Sequence, residues 1–119
     1  MITIIAGPRS ITDSQVLATA IERCPWKITE VVSGAAKGVD RLGEAYARGY
    51  WKPLHRFAAD WKKHGKAAGP IRNKQMADVG EALLAVWDGK SKGTKNMIDV
   101  AKNQGLLVYV HLVGIEATQ

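Results

Sequence analysis

Apolar positions along the chain fall into two alternating rhythms. Ile2 to Ala6 is a short β-branched run ending at glycine, the pattern of a buried strand. Past "TDSQ", Val16, Leu17, Ala20, Ile21 and Cys24 recur at helical spacing, which predicts a helix. Thr12 is its expected N-cap, Gln15 completes a capping box, and Pro25 closes the segment. "ITEVVS", Ile28 to Ser33, repeats the strand signature, and a helix is expected from about Val39 with Leu42 and Tyr46 on its inner stripe and Gly49 near its end.

"KPLHRF" carries Pro53, His55 and Arg56, which a strand buried on both faces would not tolerate, so it is expected at a sheet edge. A glycine-bearing stretch from Ala59 to Pro70 leads to a short helical segment around Asn73 to Val79. "ALLAVW", Ala82 to Trp87, is an apolar strand. Met97, Ile98 and Ala101 mark a further helix that Gly105 stops, and Leu106 to Leu112 form a last strand. The tail "GIEATQ" adds no element. Strands alternating with helices mean parallel βαβ units with right-handed crossovers. The expected fold is α/β: a three-layer Rossmann-like domain over residues 1–119, with a mainly parallel sheet of about five strands in the order 3-2-1-4-5.

In such sheets a ligand binds outside the carboxyl ends of the strands, where strand order reverses. Four loops leave those ends: "GPRS" (Gly7 to Ser10), "SGAAKG" (Ser33 to Gly38), "ADW" (Ala59 to Trp61) and "DGKSKGT" (Asp88 to Thr94). The first and fourth flank the expected switch point. Glycine lets backbone approach a ligand, and helix N-termini at Val39 and Thr94 would aim N–H groups and partial positive charge at it. Gly7, Gly34, Gly38 and Gly93 are therefore candidate ligand-binding positions. Ser10, Ser33, Ser91 and Thr94 add hydroxyls, while Arg9 and Arg72 supply planar forks for phosphate or carboxylate.

Asp40 and Asp60 are candidates for ribose hydroxyls or acid–base work, although an aspartate near a helix start is commonly a cap. Asp60 ranks first because Trp61 beside it offers a ring for stacking on a base. Trp26, Trp51 and Trp87 read as packing residues, and no role is assigned to the three histidines. "GKSKGT" is not a Walker A loop, since Thr94 and Lys95 follow the second glycine, and GxGxxG is absent. No cofactor and no metal are expected.

Net charge is +6, from 17 Lys and Arg against 11 Asp and Glu, which favours an anionic partner. One cysteine, Cys24, excludes an internal disulfide and points to a reducing, cytoplasmic setting. The N-terminus reads as a strand and not a signal, and the longest apolar stretch falls far short of the ~20 residues that span a bilayer, so no membrane is expected.

Taken together, "GPRS", "VSGAAKGVDRLGEAYA", "ADWKKHGKAAGPIRNKQM" and "AVWDGKSKGTKNMIDVA" resemble the small YspA-like branch of the SLOG superfamily, which includes lonely-guy phosphoribohydrolases and Smf/DprA DNA-processing proteins. The likeness runs from Ile4 to Val110, and many members of the branch come from phages and bacteria. It implies a Rossmannoid, frequently oligomeric protein with a pocket for nucleotides or their derivatives. "SGAAKGVD" and "SKGT" would then form the phosphate and ribose platform, with "PIRN" placing Arg72 and Asn73 beside it. Arg72 matches the arginine that precedes the apolar strand in the lonely-guy hydrolases. Those enzymes carry a glutamate two to three residues after the threonine of their glycine-rich loop, where this chain has Asn96 and Met97.

Three readings follow. The preferred one is a sensor or sequestering module for a nucleotide or nucleotide-derived ligand, such as a nucleoside phosphate or an ADP-ribose-like molecule, in a homo-oligomer. The alternative is a hydrolase of an N-glycosidic bond, in which Arg72 stabilises the leaving group and Asp60 activates water. The second alternative is single-stranded DNA binding through "WKKHGK" and "IRNK".

Overall fold

The computed structural model describes residues 1–114; residues 115–119, within the 1–119 domain span and the tail read above, lie outside the described residues. Five strands, β1 (Ile2–Ala6), β2 (Glu30–Ser33), β3 (Leu54–Arg56), β4 (Ala82–Trp87) and β5 (Leu107–Leu112), form one sheet in the order β3-β2-β1-β4-β5, as expected. Every pairing is parallel, with Thr3 opposite Val31 on one side and Ala82 on the other. β3 lies at an edge, where the half-buried His55 bonds Glu30 at 2.8 Å.

Five α-helices cover the two faces: α1 (Ser14–Arg23), α2 (Val39–Gly49), α3 (Trp61–His64), α4 (Ala68–Val79) and α5 (Lys92–Asn103). Side chains alternate across each strand, so neighbours divide between two cores. Ile5, Val31, Leu84 and Val86 pack with Leu17 and Ala20 of α1 and Val39 and Ala47 of α2. Ile4, Val32, Leu83 and Ala85 pack with Met76 and Ala77 of α4 and Met97, Ile98 and Ala101 of α5. No helix among the described residues is long and apolar enough to cross a membrane.

Five local expectations are corrected. The cap of α1 is Asp13, whose side chain accepts from Gln15 N, and not Thr12. The buried stripe of α2 is Val39, Gly43 and Ala47 with Asp40 and Glu44; Leu42 and Tyr46 are only half-buried beside it, because Gly43 must let the helix close onto Ile5. α4 begins at Ala68, well before Asn73, and the Ala59 to Pro70 stretch is largely helical, with a 3-10 turn at Gly65–Ala67 joining α3 to α4. Pro70 fits there because the first turn of a helix needs no N–H from it. α5 starts at Lys92, two residues before Thr94, with Ser91 as N-cap.

Trp51 departs most from expectation. Trp26 and Trp87 pack against the two cores, and their indole N–H groups donate to Thr3 Oγ1 at 2.9 Å and to the Ser91 carbonyl at 3.1 Å. Trp51 instead stands 94% exposed, with φ +58 just past the end of α2, next to Tyr50. That backbone conformation swings its side chain away from the core.

Candidate functional site

A cleft of about 420 Å³ opens beyond the carboxyl end of β1, floored by Ala6, Gly7, Met76 and Met97. Each wall follows from a local constraint. The first loop runs directly over the start of α2, since Val39 N donates to the Pro8 carbonyl at 3.2 Å. A Cβ on Gly7 would press into Val39 and the Val86 carbonyl, and one on Gly38 would overlap the Pro8 carbonyl and the backbone of Arg9. These glycines bring two loops together, and Arg9 and Asp40 reach the cleft as a result.

The "SGAAKG" loop turns its donors inward. Ala35 N donates to Ser33 Oγ at 3.0 Å and Ala36 N to Asp40 Oδ2 at 3.2 Å. Ser33 Oγ in turn donates to the buried Glu44 Oε2 at 2.7 Å, which also accepts from Nε of the exposed Arg56 at 3.1 Å. The first N–H of α2, that of Val39, is taken by the Pro8 carbonyl, so the expectation that this group is aimed at a ligand is corrected. The N-terminus of α5 is organised differently. Asp88 Oδ1 accepts from Lys90 N and Ser91 N, both at 2.8 Å, and Ser91 Oγ accepts from Thr94 N at 3.4 Å. Among the described residues the N–H groups of Lys92 and Gly93 have no such side-chain partner, and a Cβ at Gly93 would meet nothing within 4 Å. Open backbone at a helix start suits an anion.

Arg72 enters from α4 and is held at two points. Its Nε donates to Asn73 Oδ1 at 2.9 Å and its Nη1 to the Gly34 carbonyl. Asn73, almost fully buried, passes the link on through Nδ2 to Asn96 Oδ1 at 2.9 Å and the Gly93 carbonyl at 3.5 Å, joining α4 to α5. Burial lowers the Arg72 pKa, while Asp40 opposes that shift and Arg9 adds to it. Asp40 is pushed up to about 6, chiefly by burial, against the Ala36 N–H and the nearby Arg72 and Arg9. Trp61 stands half-exposed at the rim, its ring edge over Gly69.

Of the sequence candidates, Gly7, Arg9, Asp40, Trp61, Arg72, Asn73, Ser91, Gly93 and Thr94 line this cleft. Gly34 lines an adjoining hollow of about 120 Å³ that shares Arg9, Trp61 and Arg72 with it. Ser10, Ser33, Gly38 and Asp60 lie off the cleft wall. Ser10 is exposed at the end of the first loop, and Asp60 caps α3 by accepting from Lys63 N at 3.1 Å. Three polar residues that the sequence reading did not select also face the cleft: Lys66, Lys92 and Asn96. Met97, the other residue at the position of the lonely-guy glutamate, is 1% exposed within the core, so Asn96 is the polar group there.

A family model described as "YspA, cpYpsA-related SLOG family" matches residues 1–64, the segment that carries Arg9, Asp40 and Trp61. The Gene 61 protein of Mycobacterium phage D29 is 36% identical over 100 residues, covering 77% of this chain and 78% of that protein. No solved structure matches the chain. The glycine-joined loops, the parallel sheet of order 3-2-1-4-5 and these two likenesses agree, and the chain belongs to the YspA, cpYpsA-related SLOG family.

Proposed function

We propose that the chain binds a nucleotide or nucleotide-derived ligand, a nucleoside phosphate or an ADP-ribose-like molecule, in this cleft and acts as a sensor or sequestering module. One observation carries the reading: Arg9, Lys66, Arg72 and Lys92 surround a cleft of about 420 Å³ that also holds the open start of α5. That volume lies within the range of small-ligand sites. The phosphate belongs between Arg9 and the α5 start, and the base against Trp61. Titration calorimetry with nucleoside mono-, di- and triphosphates and ADP-ribose tests this, with chromatography of the same mixtures. Binding without consumption is expected; a panel in which nothing binds would sink the proposal.

Gly93→Val separates ligand contact from folding. A Cβ at position 93 meets no protein atom within 4 Å, so the fold should accept it. The added bulk stands where a phosphate would approach, and affinity should fall at least about tenfold. Circular dichroism should not change. Unaltered affinity would put the phosphate elsewhere.

A hydrolytic reading has one observation in its favour, a carboxyl near pKa 6 beside an arginine in the cleft. Asp60, which the sequence reading gives that task, is otherwise engaged as the cap of α3, and Asp88 at the start of the fourth loop is held below the usual carboxylate range by the Ser91 and Lys90 N–H groups. The DNA-binding reading rests on Lys62 and Lys63, exposed on α3, and requires affinity that falls steeply with salt.

The homo-oligomer is also a proposal, with a second copy seated on the α1–α2 face. Leu17, Ile21, Leu42 and Tyr46 line a groove there, ending at the exposed Tyr50 and Trp51. Glu22 on the groove and Lys52 next to Trp51 give opposite charges that a twofold-related copy can pair. Light scattering should give a mass above the 12.9 kDa monomer, and Trp51→Glu should return it to monomer. A monomeric unmodified protein at micromolar concentration would refute the arrangement.

A further inference from the structure

We infer that Asp40 reads the sugar of the bound nucleotide, accepting hydrogen bonds from ribose hydroxyls, so that the site prefers ribonucleotides to their 2′-deoxy counterparts. The inference rests on the nucleotide-binding proposal and adds a substrate class to it. Asp40 lies in the first turn of α2, is 5% exposed and lines the cleft, so the little surface it keeps is turned to the ligand space. Its Oδ2 accepts from Ala36 N at 3.2 Å, and its Oδ1 has no hydrogen-bond partner among the described residues. No buried side-chain polar atom among those residues lacks a partner, so Oδ1 is not sealed inside the protein.

A carboxylate in this position is costly. Burial raises its pKa above the ordinary carboxylate value, so the ionised form is a net burden on the folded state above that pKa and none below the unfolded one. Closing the loop does not require the charge, because a neutral amide oxygen would accept from Ala36 N equally well. The charge therefore has work to do in the cleft.

Its chemistry narrows the partner. An ionised carboxylate only accepts hydrogen bonds, and a phosphate brought against it would be repelled. The phosphate goes to the cations and the base to the Trp61 ring. The part of a nucleotide that remains is the sugar, and a ribose offers adjacent hydroxyl donors where deoxyribose has lost one. Arg72 from α4, Arg9 from the first loop and Glu44 on α2 are the charged groups acting on Asp40, and none of them is an acceptor-only group open to the cleft.

The test is calorimetric titration with paired ribo- and 2′-deoxyribonucleoside 5′-monophosphates and 5′-diphosphates of each base. Unmodified protein, Asp40→Asn and Asp40→Ala are compared at pH 7.5 and at pH 5.5. At the higher pH the ribo form should bind about tenfold to a hundredfold more tightly, the scale of a hydrogen bond to a charged group. Asp40→Asn, which keeps the size and the Ala36 contact, should bring the ratio close to one. Asp40→Ala, which leaves no polar atom on the side chain, should bring the ratio close to one even where the asparagine amide of Asp40→Asn retains a contact with the sugar. For the unmodified protein the ratio should shrink at pH 5.5, and because both members of a pair carry the same phosphate, its titration cancels. Equal affinity within every pair, or a preference that both variants keep, would overturn the inference and leave nucleotide binding standing. Failure of every pair to bind would overturn both.

Discussion

Gly38→Ala should cost the protein about 2–6 kcal/mol of folding stability, a large part of the total for a domain of this size. Gly38 has φ +74 and ψ −129, a conformation open to glycine and hostile to residues with a Cβ. Strain of that kind costs about 1–3 kcal/mol. An added methyl would also overlap the Pro8 carbonyl and the Arg9 backbone, and relieving that overlap adds about 1–3 kcal/mol. Denaturant unfolding measures the sum; a loss below about 1 kcal/mol would mean that the two loops part without penalty. Parting them would be felt in the cleft as well, since Arg9 and Asp40 project from the segments that Gly38 brings together. Gly93 makes the opposite case, a glycine at which an added Cβ would meet open space.

Much of the fold was legible because its signals are local. Val31 and Val32, or the apolar run from Ala82 to Val86, announce strands buried on both faces, and Pro53, His55 and Arg56 announce an edge. From those the strand order follows. The start of α4 is hidden in the sequence because Gly65, Gly69 and Pro70 look like breakers there. In the structure Gly65 takes φ +56 between two helical turns, Gly69 lies under the Trp61 ring, and Pro70 falls in a first turn. Each is a tertiary use of a residue that sequence alone reads as punctuation.

The site divides in the same way. Loops at strand ends are visible in the chain, and nine of the proposed residues meet in one cleft. Nothing in the sequence singles out Lys66 or Lys92 for the cleft, because lysine runs commonly mark solvated surface. Which lysine faces inward depends on where a helix starts, and α5 starts two residues earlier than its apolar pattern suggests. Asn96 matters through Asn73, its partner 23 positions away. No spacing within either helix foretells that bond.

Arg72→Ala should weaken binding of a phosphate-bearing ligand by about 1.5–3 kcal/mol, roughly tenfold to a hundredfold in affinity. The guanidinium is already ordered before any ligand arrives, with Nε on Asn73 and Nη1 on the Gly34 carbonyl, so little side-chain freedom is lost on binding. It is also partly stripped of water, which strengthens its attraction for an anion. Arg72→Lys keeps the charge but cannot reach both Asn73 and Gly34 with one ammonium, and should recover only part of the loss. Calorimetry reads these differences, and chromatography of the same mixtures reads turnover. In a binding module neither unmodified protein nor variant yields product, because Arg72 holds charge that the ligand already carries. In a hydrolase Arg72 would act on charge that develops during bond cleavage, so its removal would slow turnover by about a hundredfold or more while ground-state affinity changed less. Consumption of a nucleotide by the unmodified protein, lost in Arg72→Ala, would replace sequestration with catalysis as the function of this cleft.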